Sequence, residues 1–205
     1  MTAGQRRAVS AMWSIALLGA VLAAAGYIAL DGLVLQSAPR ADAASFWARG
    51  VALLDRAALR DTWDFLLPSA LVLAGVLLLA LRATRATGFG VLYVGLVQIL
   101  SYAAAHLSTP WFGRVRPSEA LAGGDVWFAA GNSFPSGHAA FYAGLFFPLV
   151  VLFPRLAPVW LVPPLFVAAA RVLAQDHYLS DVSTSIALAA ILSAALCFVA
   201  AKAAE

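Results

Sequence analysis

The chain is expected to fold as an all-α integral membrane protein, a bundle of six transmembrane helices. Three observations predict this class. Of the 205 residues, 63% are hydrophobic and only 11% are charged, against roughly 25% charged in soluble domains. Mean hydropathy is +0.88. The apolar residues also gather into six runs long enough, or nearly long enough, to cross a bilayer, with most of the charge in the links between them.

The runs are 11–30, 65–81, 88–107, 138–153, 157–174 and 178–200. Arg6 and Arg7 precede the first, which is too long for a signal-peptide core and is followed by further spans, so no cleaved leader is expected. Between the first and second runs, Trp47, Val51, Leu54 and Ala58 recur at spacings of four, three and four, with Arg49, Arg56 and Arg60 opposite. This pattern predicts an amphipathic helix over 43–60, either lying on the membrane surface or packed on the bundle as a linker. The fourth run is short, so its first turn takes in Pro135-Ser136-Gly137-His138. Pro163-Pro164 interrupts the fifth. Cys197, the single cysteine, lies in the sixth, which excludes an intrachain disulfide and a cysteine metal site. One domain over 1–205 is expected, without internal repeat or linker.

Residues before the first run, 82–88, 154–158 and the tail with Lys202 share one side, expected to be cytoplasmic. Residues 31–64, 108–135 and 171–177 share the other. The basic residues divide six to seven, so the assignment rests on Arg6 and Arg7 and on uses for the opposing arginines within a site. Trp13 and Trp160 are expected in one interfacial belt, and Trp47, Trp63, Trp111 and Trp127 in the other. A net charge of +3 gives no reason to expect nucleic acid.

Ionisable groups beside spans are costly and mark candidate sites. They concentrate in 109–117, 135–138 and 171–181, which six spans bring to one membrane face. Ser136 is a good N-cap, Gly137 lets a ligand approach the backbone, and the free N–H groups of a helix start suit an anion. His138 stands one step inside, placed to pass a proton to that anion. His177 and Asp181 are four apart and share a helix face, so Asp181 is expected to accept the imidazole Nδ1–H and leave Nε2 as a nucleophile. The fork of Arg171 suits phosphate. Pro117 favours an extended Arg116, which puts Arg114 and Arg116 on one side of the strand. No carboxylate cluster is expected on this face beyond Asp181, so no metal is implied. His106 is expected to be structural or supporting.

With these motifs in place the chain resembles the type 2 phosphatidic acid phosphatase superfamily, whose fold is shared with vanadium haloperoxidases. The family pattern is Lys, six residues, Arg-Pro; then Pro-Ser-Gly-His; then Ser-Arg, five residues, His, three residues, Asp. Here these are Arg116-Pro117, residues 135–138, and Arg171, His177 and Asp181. Two positions depart from the pattern: Thr109 stands for the Lys and Ala170 for the Ser. The resemblance implies metal-independent hydrolysis of a lipid phosphate or diphosphate without a cofactor. His177 is the nucleophile that becomes a phosphohistidine, Asp181 orients it, and His138 is the acid and then the base. Arg116, Arg171, Ser136 and Gly137 hold the phosphate, Arg114 makes up part of the missing lysine's charge, and Thr109 offers a hydroxyl. The resemblance implies phosphatidic acid, phosphatidylglycerol phosphate, a polyprenyl diphosphate or a lipid A phosphate as substrate; undecaprenyl diphosphate is the best single expectation, on the periplasmic face of a bacterial inner membrane. Transfer of the phosphoryl group to another lipid would use the same residues. A transporter is the alternative of a different class, and it would need substrate groups near the bilayer midplane.

Overall fold

The computed structural model describes residues 1–37, 40–120 and 127–201. Lys202 lies outside the described residues. Thr2 opens the first helix with a capping box: its hydroxyl accepts from the Gln5 N–H at 3.2 Å, and Gln5 Oε1 accepts from the Thr2 N–H at 2.9 Å. Helix α1 (Ala3–Ala25) runs through a single wide turn (Gly26–Leu30) into α2 (Asp31–Ser37). The first run is therefore part of a 35-residue apolar segment, longer at both ends than its hydropathy predicted.

The amphipathic segment forms α3 (Phe46–Ala57), capped by Ser45. It stops before position 60. Leu59 takes a left-handed conformation (φ +57°), and the chain reverses so that Arg60 turns inward. Trp47 stacks on Phe166 of α7 with centroids 5.1 Å apart, and Val51 is buried. Helix α3 therefore packs on the bundle through this face. The remaining helices are α4 (Leu66–Ala80), α5 (Arg85–Phe112), α6 (Gly137–Leu152), α7 (Ala157–Leu173), α8 (Leu179–Ala195) and the short α9 (Cys197–Ala201). Helix α7 runs unbroken through Pro163 and Pro164, so the expected interruption does not form.

Helices α6 and α8 form the interior, while α1, α4 and α7 turn Leu17, Val21, Leu73, Leu77, Val162 and Leu165 outward. In water those side chains would be a liability; in a bilayer they are the lipid-facing surface. Close helix contact comes from small residues, as expected where lipid offers no hydrophobic drive. Gly75 and Gly95 seat α4 on α5 so tightly that a Cβ at either would lie 2.6–2.7 Å from opposing backbone. Trp13, Trp63 and Trp111 are exposed. Trp47, Trp127 and Trp160 pack on Phe166, Phe134 and Phe146.

Candidate active site

Three segments meet where α5 and α7 end and α6 and α8 begin. Residues 113–116 and 128–133 run side by side. The Phe128 N–H donates to the Phe112 carbonyl (2.8 Å), Ala129 to Gly113 (3.0 Å) and Ser133 to Arg114 (2.9 Å). Two glycines permit this approach. Gly113 is left-handed (φ +51°), and a Cβ there would sit 2.0 Å from the Ala129 carbonyl oxygen; at Gly131 it would sit 2.2 Å from that of Arg114.

Ser136 caps α6, its Oγ accepting from the Ala139 N–H at 3.4 Å. Ser185 Oγ donates to the Ser136 carbonyl at 2.9 Å and ties this helix start to α8. A Cβ on Gly137 would meet only the Tyr102 ring, at an ordinary 3.5 Å. Packing therefore does not demand a glycine, whereas a ligand approaching the helix start would. At the next residue, His138 Nε2 lies 3.3 Å from Asp55 Oδ2 of α3.

His177 is buried between α7 and α8. The expected partnership with Asp181 is corrected. Asp181 Oδ2 stands 3.8 Å from His177 Nδ1, beyond hydrogen-bond reach, and Nδ1 lies 2.7 Å from the Ser133 carbonyl oxygen. Only a protonated Nδ1 can pair with a carbonyl, so the lone pair of the neutral ring sits on Nε2. Asp181 is drawn off by Arg114 Nη1 (2.5 Å), Ser133 Oγ (2.5 Å) and the Tyr178 N–H (2.9 Å). Ser133 thus links Asp181 to His177, its hydroxyl donating to the carboxylate and its carbonyl facing Nδ1. Burial, then the positive charge of Arg171, pull the His177 pKa below its ordinary value against the opposing pull of Asp181 and Ser133.

Arg114 does not join Arg116 over an anion. Its side chain is 0% exposed and bridges Asp31 (2.8 Å) and Asp181 (2.5 Å), with Ser180 Oγ at 2.7 Å and the Tyr178 ring beneath it at 3.8 Å. The left-handed turn at Gly113 aims it into the bundle, and two carboxylates outcompete solvent for it. Thr109 is corrected as well: it donates its hydroxyl proton to the Ala105 carbonyl (2.9 Å), one turn back in α5.

Arg116 and Arg171 do converge, and Asp176 lies between them. Arg116 Nη1 is 3.5 Å from Asp176 Oδ1, and Arg171 Nη1 is 3.0 Å from Oδ2. Asn132 holds Arg116 Nε at 2.7 Å, while Arg171 Nε is buried with no partner among the described residues. The Asp176 carboxylate bridges the two guanidinium groups. A cleft of about 390 Å³ opens here, walled by Trp47, Asp55, Asp61, Arg171 and Asp176. A larger hollow of about 1020 Å³ lies at the other end of the bundle, beside Arg7 and Arg155, and holds none of these groups. Asp55 and Asp176 place two further carboxylates beside the arginines and His138 on this face. His106 stacks on Tyr102 at 5.7 Å and stays outside the cleft.

Sequence reasoning missed Ser133, Asp31, Asp55 and Asp176. Asp176 had a visible signal, since it directly precedes His177. Asp55 had one too: it lies four residues after Val51 and so borders the apolar stripe of α3.

A family model described as the PAP2 superfamily matches residues 90–204. Among solved structures, the chain is similar to a crystal structure described as the first transmembrane PAP2 type phosphatidylglycerolphosphate phosphatase from Bacillus subtilis. That likeness covers 92% of this chain and 95% of the other, at 24% identity and a TM-score of 0.61, and it bears on the fold. No curated protein matches the chain.

Proposed function

Because the chain belongs to the PAP2 superfamily, we propose that it hydrolyses a lipid phosphate or diphosphate at the membrane surface through a phosphohistidine. The observation that carries this reading is the convergence of Arg116 and Arg171 on one carboxylate beside His177. Replace that carboxylate by a phosphoryl group and the two forks hold its oxygens while His177 Nε2 attacks phosphorus. The Ser133 carbonyl keeps the proton on Nδ1 throughout. His138, as imidazolium, gives its proton to the leaving oxygen as the P–O bond breaks. In the second half it takes a proton from water as the water oxygen attacks and the N–P bond breaks. The N–H groups after Ser136 face the same oxygens. The arginines supply the positive charge, and no step is routed through a metal.

The site face is proposed as the periplasmic face of a bacterial inner membrane. Arg6, Arg7, Arg82, Arg85 and Arg155 gather at the opposite end. On the site face Arg60, Arg114, Arg116 and Arg171 are engaged in ion pairs rather than aimed at head groups. Undecaprenyl diphosphate is the proposed substrate, with the phosphatidylglycerolphosphate named for the structural neighbour as its rival. The test is phosphate release by purified protein in detergent with EDTA, against a panel of both lipids and phosphatidic acid. Release without an acceptor lipid supports hydrolysis. A need for an acceptor lipid would establish transfer instead, and no release from any lipid phosphate would sink the reading.

A further inference from the structure

Helix α3 carries a carboxylate that no family motif contains, and it points at the acid of the proposed reaction. A half-buried carboxylate at a membrane face is costly unless it is paired. The partners of Asp55 come from two elements. His138 Nε2 is 3.3 Å from Oδ2, Tyr142 OH donates to Oδ1 at 2.7 Å, and Arg60 Nη1 is 3.7 Å from Oδ1. A structural role serving Arg60 alone does not account for this. Arg60 lies nearer Asp64 (3.0 Å) and also stacks over the Tyr102 and Phe141 rings. The close contacts of Asp55 are those to His138 and Tyr142, both on α6.

The rest of α3 is built to hold Asp55 at that depth. Val51, one turn earlier on the same face, is buried. Gly50 lies so close to Phe166 that a Cβ would meet the ring at 2.4 Å. The Ala41 N–H donates to the Leu173 carbonyl at 2.8 Å and ties the segment leading into α3 to the end of α7. Asp55 also remains ionised. Burial pushes its carboxyl up, but the hydrogen bonds from His138 and Tyr142 and the Arg60 charge outweigh that and hold it below the ordinary carboxylate range.

We propose that Asp55 is the positioning residue for His138: it holds one imidazole nitrogen and stabilises the imidazolium, leaving the other nitrogen for the leaving oxygen. The inference rests on the phosphatase reading above. In proton terms, Asp55 keeps its charge throughout, while His138 gives a proton to the leaving oxygen and regains one from water. Helix α3 is then part of the reacting centre.

The leaving group decides the matter, because proton donation counts most where the departing oxygen is a poor leaving group. Wild type, Asp55→Asn and Asp55→Glu are compared on phosphatidic acid, which expels an alkoxide, and on p-nitrophenyl phosphate, which expels a stable phenoxide. Asp55→Asn should lower kcat about ten- to a hundredfold on the lipid and by under about threefold on the aryl ester, with KM nearly unchanged. Asp55→Glu should recover part of the lipid rate. Equal losses on both substrates, or a change confined to KM, would overturn the positioning role while leaving the phosphatase reading intact. Tyr142→Phe, which keeps the carboxylate, serves if Asp55→Asn does not fold: a selective loss on the lipid supports the role, and no selectivity overturns it. A wild type that releases phosphate from neither substrate would overturn both readings.

Discussion

Replacing Arg114 by methionine separates two readings of that residue. If Arg114 faced the phosphate, its loss would raise KM and leave stability alone. The structure gives the opposite expectation. Its side chain is fully buried, at 2.8 Å from Asp31 and 2.5 Å from Asp181. Removing it strands two carboxylates in the interior. Breaking a buried pair in this way costs about 3–5 kcal/mol. Asp31 keeps the Ser180 N–H at 2.9 Å and Oγ at 2.5 Å, so the low end of that range is expected. For a chain of this size each kcal/mol shifts Tm by about 2–4 °C, which gives a fall of roughly 6–12 °C. The assay is thermal unfolding in detergent, with KM for lipid phosphate measured at a temperature where the variant is folded. Asp31→Asn in the Arg114→Met background should recover part of the loss, with a coupling of about 1–3 kcal/mol. kcat should also fall, because Asp181 would no longer hold Ser133 in place against His177. A variant as stable as wild type with KM raised tenfold would refute the buried-network reasoning and put Arg114 back on the substrate.

Asp176→Asn should tighten anion binding, because the carboxylate competes with substrate for Arg116 and Arg171. For a partly exposed pair worth at most about 1 kcal/mol, KM and the vanadate inhibition constant should fall about two- to fivefold; a rise in either would mean that Asp176 orients the arginines instead. The pH profile tests the burial of His177. Its pKa is held down, so the neutral nucleophile persists below the ordinary histidine value, and the acid limb of kcat/KM should lie below about pH 6.5. The linkage has a definite sign: the unfolded chain binds the His177 proton more readily, so this group's stability contribution is complete above about pH 6.5 and declines as pH falls toward the folded pKa. An acid limb at or above about 6.5 contradicts the assignment.

The helices were legible because hydropathy and N-caps are local. Runs 65–81, 138–153 and 157–174 each became a helix within a residue or so of its expected ends. The site was legible where its geometry is local too: Arg171, Asp176 and His177 lie on one short turn, and Ser136 to His138 on one helix start. Across the bundle the convergence of Arg116 and Arg171 was anticipated, while the partners of Asp181, Arg114 and Thr109 were not. The spacing of His177 and Asp181 correctly puts them on one face, yet spacing cannot show that Arg114 and Ser133 compete for the same carboxylate. Alternation along 114–116 assumed a free strand, but Gly113 turns Arg114 toward Asp31, 83 residues away in sequence. A pairing of that separation leaves no period for a sequence to display. Asp55 falls in the same class, at 83 residues from His138. The local motifs therefore name the groups proposed to meet the phosphate, while the carboxylates that pair with Arg114 and His138 are brought in by the packing of α2 and α3. That division explains why Thr109 could not stand in for the missing lysine. Its α5 position matches the motif, but a helical threonine hydroxyl readily bonds back to the carbonyl one turn earlier, here that of Ala105. Arg171 lines the cleft, Arg116 shares Asp176 with it, and Arg60, just past α3, pairs with Asp55 and Asp64.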